Sequence, residues 1–486
     1  MSDQPTMSLP ITSGLLAVVK DDCETCHMVV PVLAELAAGE QLLAVVSQDR
    51  ADFPSGFEVL HDRELDVSWR LQTETTPTIY RIEDGEVVDE EPGWLRTGWE
   101  RVTRIQGLGA KLPAQRPGCG SDTMLPEVHE RLMRRHSPHR LSSRRVELGS
   151  SEDPVEAAFA RGWTDGLPVT PPTEERVARM LEGTSRLPGE VVCVLPPDLV
   201  ECTVEKVAIN AVMAGCLPEY LPVVLAAVKA AATSRFNIHG ISATTYFTGP
   251  VMVVNGPIRR RIGMNSGINA LGPGNRANLT IGRALNLVVR NVGGSRPGGV
   301  DRAALGSPGK LSFCFPEDEE ASPWESLSVE RGFSPDDSAV TLFAGHGPIE
   351  IVDQKSRNPE SLARTFALQL RMVGHPKLAG MTDAIVVVSP EHARIFREAG
   401  WSKNRLRREI HSLLTLPGAE LAAGAGGVAE GMPPHVATRG KDFAKYTTEG
   451  LWFVHAGGDA GMFSAIISGW IGGAASSQMT TVAIDS

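Results

Sequence analysis

Two cysteines separated by two residues, Cys23-Glu24-Thr25-Cys26, are the most pointed chemical feature of the sequence. They stand between an apolar run over residues 14–19, with the look of a buried strand, and a stretch from Met28 onward whose apolar residues recur at helical spacing. Strand, turn and helix in that order put the first sulfur at a helix N-terminus, where the dipole and free N–H groups favour the thiolate. The second sulfur lies one turn further in, placed to resolve a mixed disulfide. Half a zinc site is the competing chemistry, but the chain has no second Cys-x-x-Cys or His-x-x-x-His to complete it. The expectation is a redox-active Cys23–Cys26 disulfide, with no cofactor and no metal. His239, His346, His375, His392 and His455 are scattered without ligand spacing.

Five further cysteines complete the set of 7. Cys119 sits in the glycine-flanked turn Gly118-Cys119-Gly120-Ser121-Asp122, which exposes a thiol; it reads either as a partner for Cys23 or as an ordinary loop cysteine. Cys216 follows a helical run at Gly215-Cys216-Leu217-Pro218, beside Glu219 and Tyr220, groups able to relay a proton. Cys216 is the preferred client thiol on this reading, against an inert core cysteine. Cys202, before a helix start at Thr203, has Glu201 and Glu205 nearby, while Cys193 and Cys314 alternate with apolar neighbours and read as core.

The elements that must position these groups alternate short β-rich runs with Ala/Leu-rich helices, joined by turns in a chain with 49 Gly and 34 Pro, which is α/β architecture. Strands ending in proline near Pro196, Pro257, Pro348 and Pro390 suggest a duplication into two α/β lobes, 154–335 and 336–486. The polar loop Asn265–Arg283 feeds a helix, and His455–Ser464 reads as strand, Gly-rich loop and helix. Loops of this kind deliver polar groups to strand ends, where open α/β sheets place ligands. The expected site therefore joins Cys216–Tyr220 to Arg276, which carries the substrate's charge, with Asn265, Ser266, Asn278, His455 and Ser464 as further binding residues. The acidic loop Glu317-Asp318-Glu319-Glu320 with Trp324 reads as a solvated face.

Beyond the cysteine pair come a second strand at Gln41–Ser47, then Thr75-Thr76-Pro77 leading into a strand, an Asp84-Gly85 turn and another strand. With Pro31 five residues after Cys26, these features make residues 9–106 resemble a thioredoxin-like domain. The resemblance implies that Cys23 and Cys26 are its redox pair, that Pro31 is its helix-kinking proline and that Pro77 is its cis-proline. Glu24-Thr25 and Asp21-Asp22 depart from the usual Gly-Pro and Trp, and acidic neighbours disfavour a thiolate, so a more reducing, slower pair is expected. The opening over 163–172 and the run over 204–220 are similar to uncharacterised bacterial proteins near the UGSC (seleno)protein family, and Cys119-Gly-Ser matches three letters of that motif.

The domain plan is a thioredoxin-like redox domain over 1–112, an Arg-rich connector over 113–153 and the two lobes. The connector holds Arg131, Arg134, Arg135, Arg140, Arg144 and Arg145 with His136 and His139, read as a solvated linker and hinge, with an anion-binding strap as the sharper alternative. A net charge of -11 argues against nucleic-acid binding. No stretch approaches the length of a membrane span, and no secretion signal is evident, so a cytoplasmic protein is expected, as a homo-oligomer. The functional expectation is a thiol-dependent redox enzyme. Its large α/β region binds a small polar or anionic substrate, and the Cys-x-x-Cys recycles a reactive cysteine, with thioredoxin reductase or another thiol reductant as electron source. Fusion would hold the pair at about millimolar local concentration around its client. The alternatives are a cysteine-dependent lyase or hydrolase with a protective redox domain, and a thioredoxin-like adaptor.

Overall fold

A computed structural model describes residues 9–136, 141–149, 151–433, 435–436, 440–471 and 476–485. It is a mixed α/β protein with several sheets, divided into two compact units, 1–138 and 139–486. His139 and Arg140 of the expected connector lie outside the described residues.

The first unit opens with β1 (Gly14–Val19), α1 (Glu24–Ala37), β2 (Leu43–Ser47), β3 (Val59–His61) and α2 (Asp66–Arg70). It continues with β4 (Thr75–Thr76), β5 (Thr78–Glu83), β6 (Glu86–Pro92), β7 (Trp94–Leu95) and α3 (Arg96–Thr103), then β8 (Gln115–Arg116), β9 (Cys119–Gly120) and α4 (Pro126–His136). Five strands form one sheet in the order β3-β2-β1-β5-β6, with β1, β2 and β3 parallel and β5 and β6 antiparallel additions. The period of two along β1 explains its continuous apolar run. Leu15, Ala17 and Val19 pack with Val29, Val32, Leu33 and Leu36 of α1, while Leu16 and Val18 pack with Tyr80 and Ile82 on the opposite face.

This unit does not end at residue 112. Trp94 Nε1 donates to Pro113 O at 2.7 Å, β7 pairs with β8, and β4 pairs with β9. The first part of the connector is thus a strap laid back on its own unit rather than a solvated linker. The Arg/His-rich α4 is held too: Arg135 pairs with Glu64 and Asp66, and His136 bonds Asp66 and stacks on Trp69. Arg135 and His136 thus spend their charge and hydrogen bonds on their own unit.

The second unit begins with α5 (Pro154–Ala160), α6 (Glu174–Leu181), a hairpin of β10 (Val191–Leu195) and β11 (Val200–Thr203), α7 (Val204–Ala214), α8 (Leu221–Ala231) and α9 (Ile238–Ala243). There follow β12 (Gly249–Asn255), α10 (Ile258–Arg261), α11 (Arg276–Asn291), β13 (Cys314–Pro316), α12 (Leu327–Glu330), β14 (Ala339–Val352) and α13 (Pro359–Met372). Next are β15 (Ala384–Val388), α14 (Pro390–Glu398), α15 (Lys403–Leu413), β16 (Thr415–Pro417), α16 (Gly418–Ala422) and β17 (Asp442–Ala444). The last three strands are β18 (Leu451–His455), β19 (Phe463–Gly469) and β20 (Thr480–Ala483).

Seven of these strands make a single sheet, ordered β13-β12-β14-β19-β15-β18 with β20 on β14. Alternate residues sort onto two faces. Val251 and Val253 of β12, Phe315 of β13, Ile385 and Val387 of β15 and Val454 of β18 share one cluster, so residues from both edge strands meet over that face and the sheet curls around it. The other face packs on α7, α8 and α11 at one end and on α13, α14 and α15 at the other. The stretches expected as separate lobes therefore feed one sheet. Proline does not end β14 at Pro348: the strand runs on through an irregularity between Gly345 and Pro348, which absorbs the missing N–H. The helix expected after the His455–Ser464 loop is instead β19, whose β-branched Ile466 and Ile467 fill opposite faces between β14 and β15.

Candidate functional site

Cys23 caps α1. Its backbone is extended, and its Sγ accepts the Cys26 N–H at 3.3 Å, taking up one of the free amide donors of the first turn. The same sulfur lies 3.3 Å from Thr76 O, which accepts the S–H when the thiol is protonated. The Thr76–Pro77 bond beside it is cis. Cys26 is buried one turn in, with the Lys20 N–H directed at its sulfur at 3.4 Å.

The third member comes from the strap. Pairing Thr76 with Cys119 and Thr75 with Gly120 sets Cys119 opposite Thr76, whose carbonyl lies 3.3 Å from the Cys23 sulfur. Thr25 Oγ1 donates to Pro117 O at 2.8 Å, pinning the strap to the turn between the paired cysteines. Gly118 is required sterically, because a Cβ there would fall 2.5 Å from Thr76 O. Beyond Cys119, Ser121 N–H donates to Glu74 O, Gln48 exchanges hydrogen bonds with Ser121 and Asp122, and Lys20 pairs with Asp122 at 3.2 Å. Cys23 and Cys26 have no exposed surface, whereas Cys119 is partly exposed.

Electrostatics divides the three thiols. The Cys26 hydrogen bond acts first, opposed by burial and helped by Cys119, and together they lower the Cys23 thiol from 9.0 to about 5. Burial, followed by the neighbouring Cys23, pushes Cys26 upward, and the bond to Cys23 also raises Cys119. The expected penalty from acidic neighbours is offset because each has a basic partner: Asp21 faces Arg50, Asp22 faces Lys20 at 2.8 Å, and Glu24 pairs with Arg116. Of the three sulfurs, Cys23 is the one whose surroundings favour the thiolate.

The residues nominated in the larger unit meet a different fate. Cys216 is buried just past α7, and burial raises its thiol to about 12. Glu219 is exposed and Tyr220 buried. Arg276 sits beside them, but its Nε donates to Gly215 O at 2.9 Å, closing the end of α7. Asn278 donates to Asn265 O and Ala270 O and accepts the Asn265 N–H, so these amides hold their own loop together. Ser266 O accepts the Gly457 N–H at 2.8 Å, which does bring the two expected loops into contact. His455 is buried with Nδ1 on Val388 O, and Ser464 is buried with Oγ 2.7 Å from His392 Nδ1. The nominated side chains thus serve the fold more than an open site. One cavity of this unit, of about 360 Å³, lies elsewhere, among Asp165, Ser242, Asn286, Arg290, Asp301 and Lys310.

Among the described residues no group of three or more His, Cys, Asp or Glu side chains is arranged to hold a metal ion, and no helix is long and apolar enough to cross a membrane. No protein-family model matches the chain, and no curated protein or solved structure matches it either.

Proposed function

We propose that the first unit is a thioredoxin-like thiol–disulfide oxidoreductase in which Cys119 meets the client and the Cys23/Cys26 pair restores it. One observation carries this reading: the partly exposed Cys119 is paired in register with Thr76, whose carbonyl lies 3.3 Å from the Cys23 sulfur at the N-terminus of α1. The sheet order, the Cys-x-x-Cys entry into α1 and the adjacent Thr76-Pro77 step support the thioredoxin-like assignment.

The reaction runs as a three-thiol relay. Cys119 gives its proton to the Cys23 thiolate and attacks one sulfur of a client disulfide. The first client thiolate leaves and takes the proton back from Cys23. Cys23 then attacks the Cys119 sulfur, releasing the second client thiolate and forming Cys23–Cys119. Cys26, one turn into α1, attacks Cys23, its proton passing to the displaced Cys119 sulfur. Two electrons and one proton pass from the chain to the client, the second client thiolate takes its proton from water, and the chain is left with a Cys23–Cys26 disulfide for an external thiol reductant of the thioredoxin reductase or small-thiol class.

A small-molecule client disulfide suits the shielded trio, and the cytoplasm, where thiols are kept reduced, suits the relay. A lyase or hydrolase built on Cys216 draws no support from a thiol so deeply buried, and an adaptor has no use for a thiolate in this position. The test is a single turnover of the reduced full chain with limiting hydroxyethyl disulfide. Two client thiols per client disulfide consumed should appear together with one Cys23–Cys26 link, mapped by mass spectrometry without reduction. Client reduction without that link, or no client thiol released, would overturn the relay.

A further inference from the structure

A second pair of cysteines stands in the larger unit, on the β10–β11 hairpin, where Cys193 and Cys202 are direct partners in the antiparallel register. We infer that Cys193 and Cys202 form a reversible cross-strand disulfide, a redox modification site separate from the Cys23 cluster. Read one by one along the sequence, Cys193 passes for core and Cys202 for a thiol at a helix start. Their pairing appears only when the hairpin closes.

Geometry favours the bond. Residues directly opposite on antiparallel strands have Cα atoms about 4.5–5.5 Å apart, inside the range a disulfide spans. No shift of register is needed to bring them opposite one another. The hairpin is a two-stranded sheet of its own, so tightening it disturbs no larger ladder. Access is asymmetric: Cys193 is partly exposed and Cys202 has no exposed surface, which sets the order of events. The bond from Cys202 lowers the Cys193 thiol, making the accessible sulfur the attacking one.

The oxidant is a small disulfide of the oxidised glutathione class. Cys193 thiolate attacks one of its sulfurs, expelling a glutathione thiolate and leaving a mixed disulfide. Cys202 passes its proton to the departing thiolate and attacks the Cys193 sulfur, expelling the second glutathione as thiolate. Two protein thiols are oxidised, and one small disulfide becomes two small thiols.

What the bond would fix is also visible. β11 runs straight into α7, where Thr203 caps the first turn and the buried Glu205 carboxylate receives the Ser142 and Ser143 N–H groups. The disulfide would therefore lock the strand that leads to the anchor of residues 142–143.

The inference does not depend on the relay, so it is tested in the full chain carrying Cys23→Ser, Cys26→Ser and Cys119→Ser. This chain is equilibrated with oxidised and reduced glutathione over a range of ratios, then alkylated and digested without reduction. Two of the four remaining thiols should vanish together, with peptides containing Cys193 and Cys202 linked at the mass of two lost hydrogens. Adding Cys193→Ser should abolish that loss. Four thiols still alkylated after unfolding, or a stable glutathione adduct on Cys193 without the cross-link, would overturn it.

Discussion

Cys23 and Cys216 are the same residue at opposite ends of helices, and they behave as opposites. Cys23 caps the start of α1, takes an amide N–H on its sulfur and is lowered to about 5. Cys216 follows the end of α7, where the partial charge is negative and apolar packing excludes water, and its thiol is raised to about 12. Both sit beside a glycine-punctuated turn with polar residues close by. The difference lies in what surrounds each sulfur: hydrogen bonds, that of Cys26 first, lower Cys23, and burial raises Cys216.

The sharpest way to break this comparison is to exchange serine for each cysteine and follow reduction of hydroxyethyl disulfide by the full chain. Cys23→Ser and Cys119→Ser should each lower turnover by at least about 100-fold, the scale of losing a positioned proton-transfer or attacking group. Cys216→Ser should leave turnover within about twofold, because its sulfur meets no client. Equal losses at all three positions would dissolve the distinction.

The next effect is on pH dependence. The ultraviolet thiolate absorbance that Cys23→Ser removes should rise to a plateau with a midpoint near 5, while Cys216 adds none until the protein is strongly alkaline or unfolds. The same shift links to stability. Because the folded value lies below the unfolded 9.0, the unfolded chain binds more protons between the two, and folded stability gains as pH rises through that window. The gain is complete above 9.0 and lost as pH falls through about 5. Denaturant titrations of parent and Cys23→Ser should converge at the acidic end and separate above it, with the parent the more stable.

The smallest expected effect concerns the strap. Gly118→Ala places a methyl against Thr75 Cγ2 and Thr76 O, and should cost about 1–3 kcal/mol of stability in the first unit, the usual scale of overpacking. Cys119 should move away from Cys23 in that variant, so the midpoint of the Cys23 thiolate absorbance should move upward. An unchanged midpoint would mean that Cys119 contributes nothing to the thiolate.

What was legible in the sequence was local. Strand, Cys-x-x-Cys and helix are contiguous, so β1 and α1 could be read from apolar spacing, and Thr173 and Thr203 announce helix starts that they do cap. The sequence left Cys119 open between a partner for Cys23 and a loop thiol, because the choice depends on β9 pairing with β4 across a long stretch of chain, and nothing near Cys119 encodes that register. The Cys193–Cys202 juxtaposition was hidden for the same reason: the irregularity after Val191 sets which residue of β10 faces Cys202. In the larger unit, polar loops rich in Asn and Gly looked like ligand sites, yet Asn265, Asn278 and Arg276 spend their donors on nearby backbone. Dense amide side chains in a loop serve loop closure as readily as binding. The reading of β19 as a helix failed because a short apolar run gives no period long enough to separate strand from helix.

The central claim is that Cys119 and Cys23 are redox partners, and one variant tests it most directly. In Cys26→Ser the relay should stop one step early. After reaction of the reduced full chain with hydroxyethyl disulfide, unreduced peptide mapping should find Cys23 linked to Cys119 in most molecules. Client adducts that persist on Cys23 or Cys119, with no Cys23–Cys119 link, would contradict it.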